Sequence, residues 1–367
     1  MPSEIMKQKF QGGGGEPSRR YRKVIRKKLL WLGAIFLLLP LIFFCSLSWG
    51  TVTIALPELF DILTGRETET NHALIVLESR LPQALTAILA GAGLSVSGGV
   101  MQAVLRNPLC SPFTLGISSA AAFGAAMVVY LGGGSIAITD NVRTGFFWSQ
   151  GTVALGAFLS SLLAVVIVLA LARLRRAKTE TVILIGVALS AFYGAGIMLL
   201  QYVADEQQLS AMVYWSFGDT ARGTWRQISF LTPAILLISG WFFLQSWHYN
   251  TLSLGEETAR GLGVPVRRLC GWTMFWASLL TAILVSSLGV IGFVGLVVPH
   301  LTRLLTGSDY RFVLPFSMFA GATLLLVSDT VARLIFLPRI MPVSILTAFL
   351  GGPVFLILLL CRRESAS

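Results

Sequence analysis

Few residues in this chain are of the types and at the spacings that catalysis requires. The three histidines lie far apart, without an acidic residue at metal-ligand spacing, at His72, His248 and His300. The four cysteines are scattered, with neither a metal-site pattern nor a disulfide pattern, at Cys45, Cys110, Cys270 and Cys361. We therefore predict no catalytic residue and no bound metal, and we expect the cysteines to pack as small apolar side chains.

Nucleotide chemistry also lacks its usual sequence signature. A loop of the form G-x-x-x-x-G-K-[ST] surrounds the phosphates of ATP with backbone N–H groups and a lysine. No Lys in this chain follows a Gly. We therefore predict that the chain binds neither ATP through such a loop nor a cofactor of its own.

Ionisable residues are nearly absent from the apolar segments. Asp329 and Arg333 are the main exceptions, one helical turn apart. Transporters that are driven by protons or Na⁺ usually carry buried carboxylates, which are costly in a membrane and are kept for function. The scarcity of such groups argues against ion coupling. An acid four residues before a base can also form an ordinary ion pair within one helix.

The elements that position these residues are membrane-spanning helices. The 367 residues are 55% hydrophobic and 12% charged, with a mean hydropathy of +0.77, whereas soluble proteins carry about 25% charged residues. Apolar runs long enough to cross a bilayer lie near residues 29–48, 82–104, 113–131, 150–172, 182–203, 228–247, 269–288, 290–305, 312–334 and 342–361. The composition predicts an all-α polytopic membrane protein with about ten transmembrane helices.

The distribution of positive charge predicts the orientation. With the N-terminus in the cytoplasm and the spans alternating, the inside segments hold 21 of the 28 Lys and Arg residues. Such an excess is what the positive-inside rule requires, and it places both termini in the cytoplasm. The net charge of +11 is therefore explained by topology, and we predict no binding of nucleic acid.

The domain organisation follows from the same pattern. Residues 1–28 form a basic, Gly-rich cytoplasmic tail, and residues 29–363 form the transmembrane domain. The basic cluster Arg19–Lys28 resembles the start of a signal peptide, but no cleavage site follows, so we expect an uncleaved first helix. The tail either contacts anionic membrane lipid or only sets the topology.

One stretch is too short for two full crossings. The residues between Arg268 and Arg303 reach roughly 50 Å as helix, whereas two crossings need about 60 Å. One of the two helices must be short, distorted or partly re-entrant. Gly289, Gly292 and Gly295 recur there at a spacing of three, which predicts a helix face for close packing.

The longest inside connection, residues 248–268, contains a predicted short helix. Ser253 and Glu256 have the spacing of a capping box, and Glu256 and Glu257 fall in the first turn. Gly261, Gly263 and Pro265 end the helix. It is either an ordinary loop helix or a docking element through which a partner protein moves the membrane helices.

Several motifs together resemble a known family. The first group comprises Arg80-Leu81-Pro82, Gly91-Ala92-Gly93-Leu94, Gly98, Gln102, Arg106-Asn107-Pro108-Leu109, Pro112 and Leu115-Gly116-Ile117-Ser118-Ser119. The second comprises Ala204-Asp205, Gln208-Leu209, Trp215-Ser216-Phe217-Gly218, Ala259-Arg260-Gly261-Leu262-Gly263-Val264, Gly292-Phe293-Val294-Gly295-Leu296-Val297-Val298-Pro299-His300 and Pro342-Val343-Ser344. Together they resemble the FecCD family of ABC importer permeases, whose members take up iron chelates and cobalamin. The resemblance runs from about residue 30 to 363.

The resemblance implies an assembly. Family members have a fold like that of the vitamin B12 permease, with ten helices per subunit. Two permease subunits, identical or homologous, surround a central path, and two ATPase subunits, which bind ATP and Mg²⁺, lie on the cytoplasmic side. A periplasmic or surface binding protein delivers the cargo. The resemblance thus implies a permease, not an enzyme, in the bacterial inner membrane.

The resemblance also implies roles for particular residues. The coupling helix, about residues 253–264, would engage the ATPase through Ser253, Leu254, Glu256, Glu257, Ala259, Arg260, Leu262 and Gly263. Arg80 and Arg333 match arginines that dock the binding protein. The family often has R-L-P-R at the first site, but this chain has Gln83 there, which removes one expected contact. Thr179 and Glu180 match the cytoplasmic gate, although Glu180 could equally cap a helix start.

The cargo is the least determined part of the prediction. The breadth of the family favours a ferric siderophore, followed by haem and cobalamin. The alternative from another class is a stand-alone secondary transporter, which would need no docking helix.

Overall fold

The computed structural model of the chain describes residues 16–66, 70–132, 150–174, 179–337 and 339–363. Within these ranges the regular structure is helical, and the one strand-like pairing is an isolated bridge between Phe217 and Val290. The predicted all-α class is confirmed.

The helices follow one another with short connections. In chain order they are α1 Glu16–Ser48, α2 Leu56–Leu63, α3 Asn71–Leu74, α4 Leu81–Val104, α5 Ile117–Leu131, α6 Gln150–Leu174, α7 Thr179–Val203, α8 Glu206–Ser216, α9 Trp225–Leu244, α10 Ser246–Ser253, α11 Glu256–Gly261, α12 Val266–Leu288, α13 Val294–Thr306, α14 Tyr310–Ile335 and α15 Val343–Arg363. A π-helical segment, Ile75–Arg80, joins α3 to α4, and 3₁₀ turns occupy Pro112–Leu115 and Thr220–Arg222.

Each of the ten predicted apolar runs contains an α-helix. Among the described residues, 7 helices are long and apolar enough to cross a membrane: Lys28–Ser48, Asn71–Val104, Gly151–Arg173, Thr179–Val203, Trp225–Leu244, Val266–Leu288 and Tyr310–Ile335. Three shorter apolar helices, at Ile117–Leu131, Val294–Thr306 and Val343–Ile357, account for the remaining runs.

The N-terminal boundary differs from the prediction. Helix α1 begins at Glu16, so the basic cluster Arg19–Lys28 is helical and continuous with the first span. The Gly12–Gly15 run of the predicted tail lies outside the described residues.

Helices α12 and α13 occupy the stretch between Arg268 and Arg303 that is too short for two full crossings. Helix α12 has 23 residues, but α13 has only 13, about 20 Å of helix. The connector between them turns sharply, with positive φ at Gly289 (82°) and Phe293 (66°). The prediction that one of the two helices is short is confirmed.

Helix α4 lies at the centre of the fold because small residues let other helices approach its backbone. A Cβ placed on Gly91 would lie 2.2 Å from the carbonyl oxygen of Gly321 in α14. A Cβ on Gly98 would lie 1.7 Å from the carbonyl oxygen of Gly295 in α13. Backbone contacts of this kind are how helices pack in membranes, where lipid removes the hydrophobic drive between them.

The contacts define two ends of the molecule. At the basic end, the Lys28 ammonium lies 5.2 Å from the ring centroid of Phe312, and Arg106 lies 3.6 Å from Glu256. At the far end, the end of α1 meets Arg80 and the last turns of α14. The functional candidates divide between these two ends.

Candidate functional site

A buried carboxylate organises the far end. Asp329 in α14 is 1% exposed. Its Oδ1 accepts hydrogen bonds from Gln83 Nε2 at 2.8 Å and from the Thr220 hydroxyl. Its Oδ2 lies 3.1 Å from Nη2 of Arg333. Asp329 thus joins polar groups of three segments, which are α4, the 3₁₀ turn Thr220–Arg222 and α14 itself.

Arg333 extends this network to α1. Its Nη2 donates to the Ser46 hydroxyl at 2.6 Å and lies 3.3 Å from the Ser46 carbonyl oxygen. Because Asp329 and Arg333 are one turn apart in α14, both project to the same side of that helix. The ion pair foreseen as an alternative role for Arg333 is therefore present.

Arg80 caps the end of α1. Its guanidinium donates to the carbonyl oxygens of Leu47 at 2.7 Å and Ser48 at 3.0 Å, and also to that of Val52. The last carbonyls of a helix lack partners within it, and a cation suits their negative dipole. A Cβ at Gly50 would lie 2.5 Å from Nη2 of Arg80, so a larger residue there would have to displace this guanidinium.

The predicted docking arginines are not on the surface of this chain. Arg80 is 4% exposed and Arg333 is 6% exposed, and the guanidinium groups of both are hydrogen-bonded inside the protein. Within this chain the end of α1 and Asp329 supply partners for the two guanidinium groups. The docking role of Arg80 and Arg333 stays a prediction.

Two residues of the network were not foreseen in these roles. From the sequence, Gln83 was notable only because the family often has an arginine at this position, yet the Gln83 amide donates a hydrogen bond to Asp329. Thr220 was not singled out at all. A polar residue in an otherwise apolar span is the signal for Gln83, whereas nothing in the local sequence brings Thr220 to a helix more than a hundred residues away.

Two further charged residues, Asp219 and Arg222, lie in the connection between α8 and α9. Burial, the largest effect, raises the pKa of the Asp219 carboxyl, although the Ala221 N–H and the charge of Arg222 oppose it. Arg222 donates to the carbonyl oxygens of Tyr214 at 2.8 Å and Phe217 at 3.0 Å. These bonds satisfy carbonyl oxygens at the C-terminal end of α8.

At the basic end, the predicted coupling segment contains the short helix α11. Glu256 and Glu257 lie in its first turn, and it ends at Gly261, as predicted. Gly255 and Gly263 flank it with φ of 118° and 83°, values that favour glycine.

The predicted capping box is wrong. The N-cap of α11 is Gly255, without a side-chain cap. Ser253 is instead the last residue of α10, and its hydroxyl donates to the Asn250 carbonyl oxygen at 2.6 Å. A capping serine must be in an extended conformation, which the preceding helix prevents.

The predicted coupling segment combines an anchored face with an exposed one. Ala259 is fully buried, whereas Leu254 is 68% exposed and Leu262 is 65% exposed. Glu256 pairs with Arg260 at 2.5 Å and faces Arg106 at 3.6 Å. Arg106 itself has a φ of 47°, which is uncommon for a residue other than glycine.

A cavity of about 720 Å³ lies beside this segment and brings several predicted residues together. Its lining includes Thr179 and Glu180 at the start of α7, together with Glu256 and Arg260 of α11. The gate and coupling candidates, far apart in the sequence, therefore line the same cavity. Arg106 at the end of α4 also lines the cavity.

The predicted glycine face exists only in part. Gly295 lies in α13 and contacts the backbone of α4, with Leu94 O 2.7 Å from its ideal Cβ position. Gly289 and Gly292 lie in the connector before α13 and not on a helix. A spacing of three marks a face only if the whole stretch is helical, and this one is not.

No metal centre is evident in the described part of the chain. Those residues contain no group of three or more His, Cys, Asp and Glu side chains that could hold a metal ion. The predictions of no metal and no cofactor stay predictions.

The sequence matches the FecCD transport family over residues 37–361. The chain belongs to the FecCD transport family. This FecCD permease is a transport subunit of an ABC importer and not an enzyme, and the alternative of a stand-alone secondary transporter is not supported.

Relatives of this FecCD permease differ in their stated cargo. A protein of Methanocaldococcus jannaschii described as an ABC transporter permease is 42% identical over 343 residues, 93% of this chain and 97% of that one. The hemin transport system permease HmuU of Yersinia pestis is 36% identical and covers 92% and 97% of the two chains. The molybdate import permease MolB of Haemophilus influenzae (36%, 88% and 93%) and the vitamin B12 import permease BtuC of Shigella boydii (36%, 94% and 98%) are similar too.

A solved structure shares the fold of this FecCD permease. It is described as an inward-facing conformation of an ABC transporter of the metal-chelate type. The TM-score is 0.77 at 33% identity, over 89% of this chain and 98% of that one.

Proposed function

We propose that this permease subunit imports a ferric siderophore across the inner membrane. It works with a second permease subunit, identical or homologous, and two ATPase subunits that bind ATP and Mg²⁺. A binding protein delivers the cargo at the far end, above the buried guanidinium groups of Arg80 and Arg333. Both termini of the chain lie in the cytoplasm.

One observation carries the proposal of an ATPase partner. Leu254 and Leu262, which flank α11, expose their side chains at an end of the molecule that is otherwise rich in charge, while Ala259 of α11 is buried and fixes the helix to the core. Exposed apolar side chains surrounded by polar residues are typical of protein interaction sites. The segment 253–264 therefore fits a groove of the ATPase.

The mechanism is a conformational change and not bond chemistry in this chain. ATP binding closes the ATPases and displaces the coupling segments, and the permease helices then exchange between two arrangements. A ligand moves such an equilibrium only by its differential affinity for the two states. Thr179 and Glu180 form the gate, and the shared cavity with Glu256 and Arg260 supports their response to movement of α11.

The proposed cargo rests on the family and on the solved relative of the metal-chelate type. Relatives named for hemin, molybdate and vitamin B12 make these compounds the competing candidates. All four classes must therefore enter the test.

The test is binding-protein-dependent ATP hydrolysis by the reconstituted complex. The complex in liposomes is given its binding protein loaded with ferric siderophores, haem, cobalamin or molybdate in turn. We expect selective stimulation by one ferric siderophore. Stimulation by another cargo would contradict the siderophore proposal but keep the importer. If no ATPase co-purifies with the permease, the partner proposal itself is wrong.

A further inference from the structure

The basic end contains a polar contact between α10 and the start of α14. Asn250 Nδ2 donates to Asp309 Oδ1 at 2.7 Å, and Asn250 Oδ1 accepts from the Tyr310 backbone N–H, also at 2.7 Å. The side-chain nitrogen and oxygen of Asn250 thus bond to two successive residues, Asp309 and Tyr310. Asp309 is also the N-cap of α14, accepting from the Arg311 N–H. We refer to this Asn250–Asp309 contact as the clamp.

Neighbouring side chains reinforce the clamp. Arg311 pairs with Asp309 at 2.6 Å, and its guanidinium carbon lies 4.2 Å from the ring centroid of Trp247. Hydrogen bonds from Arg311 and Asn250 outweigh the opposing effect of burial and lower the pKa of Asp309 to about 2. The carboxylate is therefore charged at any physiological pH.

The clamp lies very close to the coupling segment. Only Leu254 and Gly255 separate the last residue of α10 from the first residue of α11. A force on α11 therefore reaches Asn250 through two linking residues and one turn of α10.

Helix α14 links the clamp to the far end. It has 26 residues, a length of about 39 Å. In its middle, Gly321 is in backbone contact with Gly91 of α4. Near its far end, Asp329 accepts a hydrogen bond from Gln83, also of α4. Two separate contacts thus keep α14 and α4 together as one body.

We propose that Asn250 and Asp309 are positioning residues that make α14 follow α11, so that the movement of the coupling segment reaches the Asp329–Arg333 network. The inference rests on the proposed ATPase partner but not on any particular cargo. A two-state element whose balance both ends influence is the physical requirement for such coupling.

The experiment places a spin label at the far end. Val331 in α14 is exposed, and Val331→Cys in a background without the native cysteines accepts a nitroxide. The purified complex with its ATPase is measured with and without ATP. We expect an ATP-dependent spectral change in the parent, reduced about fivefold or more by Asn250→Ala or Asp309→Ala, while ATP hydrolysis continues.

Two further variants separate coupling from general damage. The exchanged pair Asn250→Asp with Asp309→Asn retains an amide–carboxylate hydrogen bond, and it should recover most of the spectral change. Such recovery in a double variant identifies a direct interaction. Thr251→Ala is the matched control, because its hydroxyl donates only to the Trp247 carbonyl oxygen of its own helix, at 2.9 Å.

Three outcomes would overturn the inference. The label in the parent complex does not respond to ATP, or Asn250→Ala responds like the parent, or the exchanged pair is no better than the single variants. None of these results depends on cargo, so a wrong cargo assignment leaves the test intact. Absence of a co-purifying ATPase would instead contradict the proposed function, and the clamp inference with it.

Discussion

Asp329 is held by a set of partners that comes from all over the chain. The ion pair with Arg333 follows from their spacing of four within one helix. The hydrogen bond from Gln83 joins residues 246 positions apart, and that from Thr220 joins residues 109 positions apart. These partners replace the water that would solvate the carboxylate outside the protein. The loss of any one of them would leave a buried charge without compensation, which is energetically costly.

Asp329→Asn should therefore destabilise the protein strongly. The change leaves the Arg333 guanidinium buried without its counter-charge, a loss that typically costs about 3–5 kcal/mol. Adding Arg333→Gln removes the unpaired charge and should recover part of the loss. The measurement is thermal unfolding of the purified permease in detergent.

Asp61→Asn is the control for this series. Asp61 pairs with Arg66 at 3.5 Å on the surface, and exposed pairs contribute about 0–1 kcal/mol. If Asp329→Asn unfolds at the parent temperature, or if the double variant is as unstable as the single one, the network does not have the proposed role.

Asp309 leads to a pH dependence of stability. Its pKa in the folded protein, about 2, is below its ordinary value of 3.8, so its ionised form stabilises the folded state above the ordinary value. This contribution is lost as the pH falls from about 4 through about 2. The stability difference between the parent and Asp309→Asn should therefore be constant near neutral pH and shrink over that interval.

Denaturant unfolding of the two proteins from about pH 6 to about pH 2 measures this difference directly. The other carboxylates titrate equally in both proteins and cancel. A difference that grows on acidification would contradict the assigned direction of the pKa shift.

Residue roles were predictable only where they depend on nearby sequence. The ion pair within α14, which the sequence offered as an alternative role for Arg333, and the end of α11 at Gly261, which it predicted, both depend on spacings of a few residues. The capping role of Ser253 failed because α10 extends to that residue. The burial of Arg80 could not be predicted, because its partners are carbonyls at the end of α1 that only the folded chain brings near.

At the scale of helices, α4 owes its central position to glycines. The backbone contacts at Gly91 and Gly98 leave no space for a methyl group. The two contacts join α4 to α14 and α13, so the spacing of three helices depends on residues without side chains.

Gly98→Ala should disrupt the packing of α13 on α4. The new Cβ would meet the Gly295 carbonyl oxygen at 1.7 Å, so the backbone must move apart, and overpacking of this kind costs about 1–3 kcal/mol or more. We expect lower membrane abundance and a lower unfolding temperature in detergent.

Gly240→Ala in α9 is the matched control. A Cβ at this position meets nothing within 4 Å, and replacing a mid-helix glycine by alanine stabilises a helix by about 0.5–1 kcal/mol. Equal behaviour of the two variants would show that the contact at Gly98 can relax and that the packing is not tight.

The presence of each helix was predictable from hydropathy. Helix geometry was predictable only where the number of residues limits the distance that the chain can span. Each of the ten apolar runs contains an α-helix, and the reach of the chain between Arg268 and Arg303 required a short one. The position of the break did not follow from the sequence, so Gly289 and Gly292 were wrongly placed on a helix face.

For the whole molecule, the division into two ends is the main feature. The far end contains buried charged side chains whose partners lie within the chain. The basic end contains exposed leucines and a cavity shared by α7 and α11. The sequence predicted both ends from charge distribution, but it could not place Thr179 beside Glu256.

Leu262→Ala should weaken the association with the ATPase. Leu262 is 65% exposed in this chain, and burial of a leucine at an interface contributes roughly 1.5–3 kcal/mol. We expect reduced ATPase co-purification and reduced transport, with normal amounts of permease in the membrane. Glu257→Gln should also reduce transport.

Leu199→Ala is a suitable control, since Leu199 in α7 is similarly exposed (64%) but lies within an apolar span. Normal transport by Leu262→Ala and Glu257→Gln together would show that residues 253–264 are not the coupling segment.

The contrast between α1 and α4 has a consequence for sequence divergence. Leu30, Leu37 and Leu41 of α1 are each more than half exposed, whereas nearly every residue of α4 is buried. A lipid-facing position requires only that its side chain be apolar, so homologous permeases can exchange leucine, isoleucine, valine and phenylalanine there at little cost. Positions in α4 accept only side chains small enough to fit between its backbone and those of the neighbouring helices. Over evolutionary time the first span should drift widely in identity at constant hydropathy, and the second should change slowly.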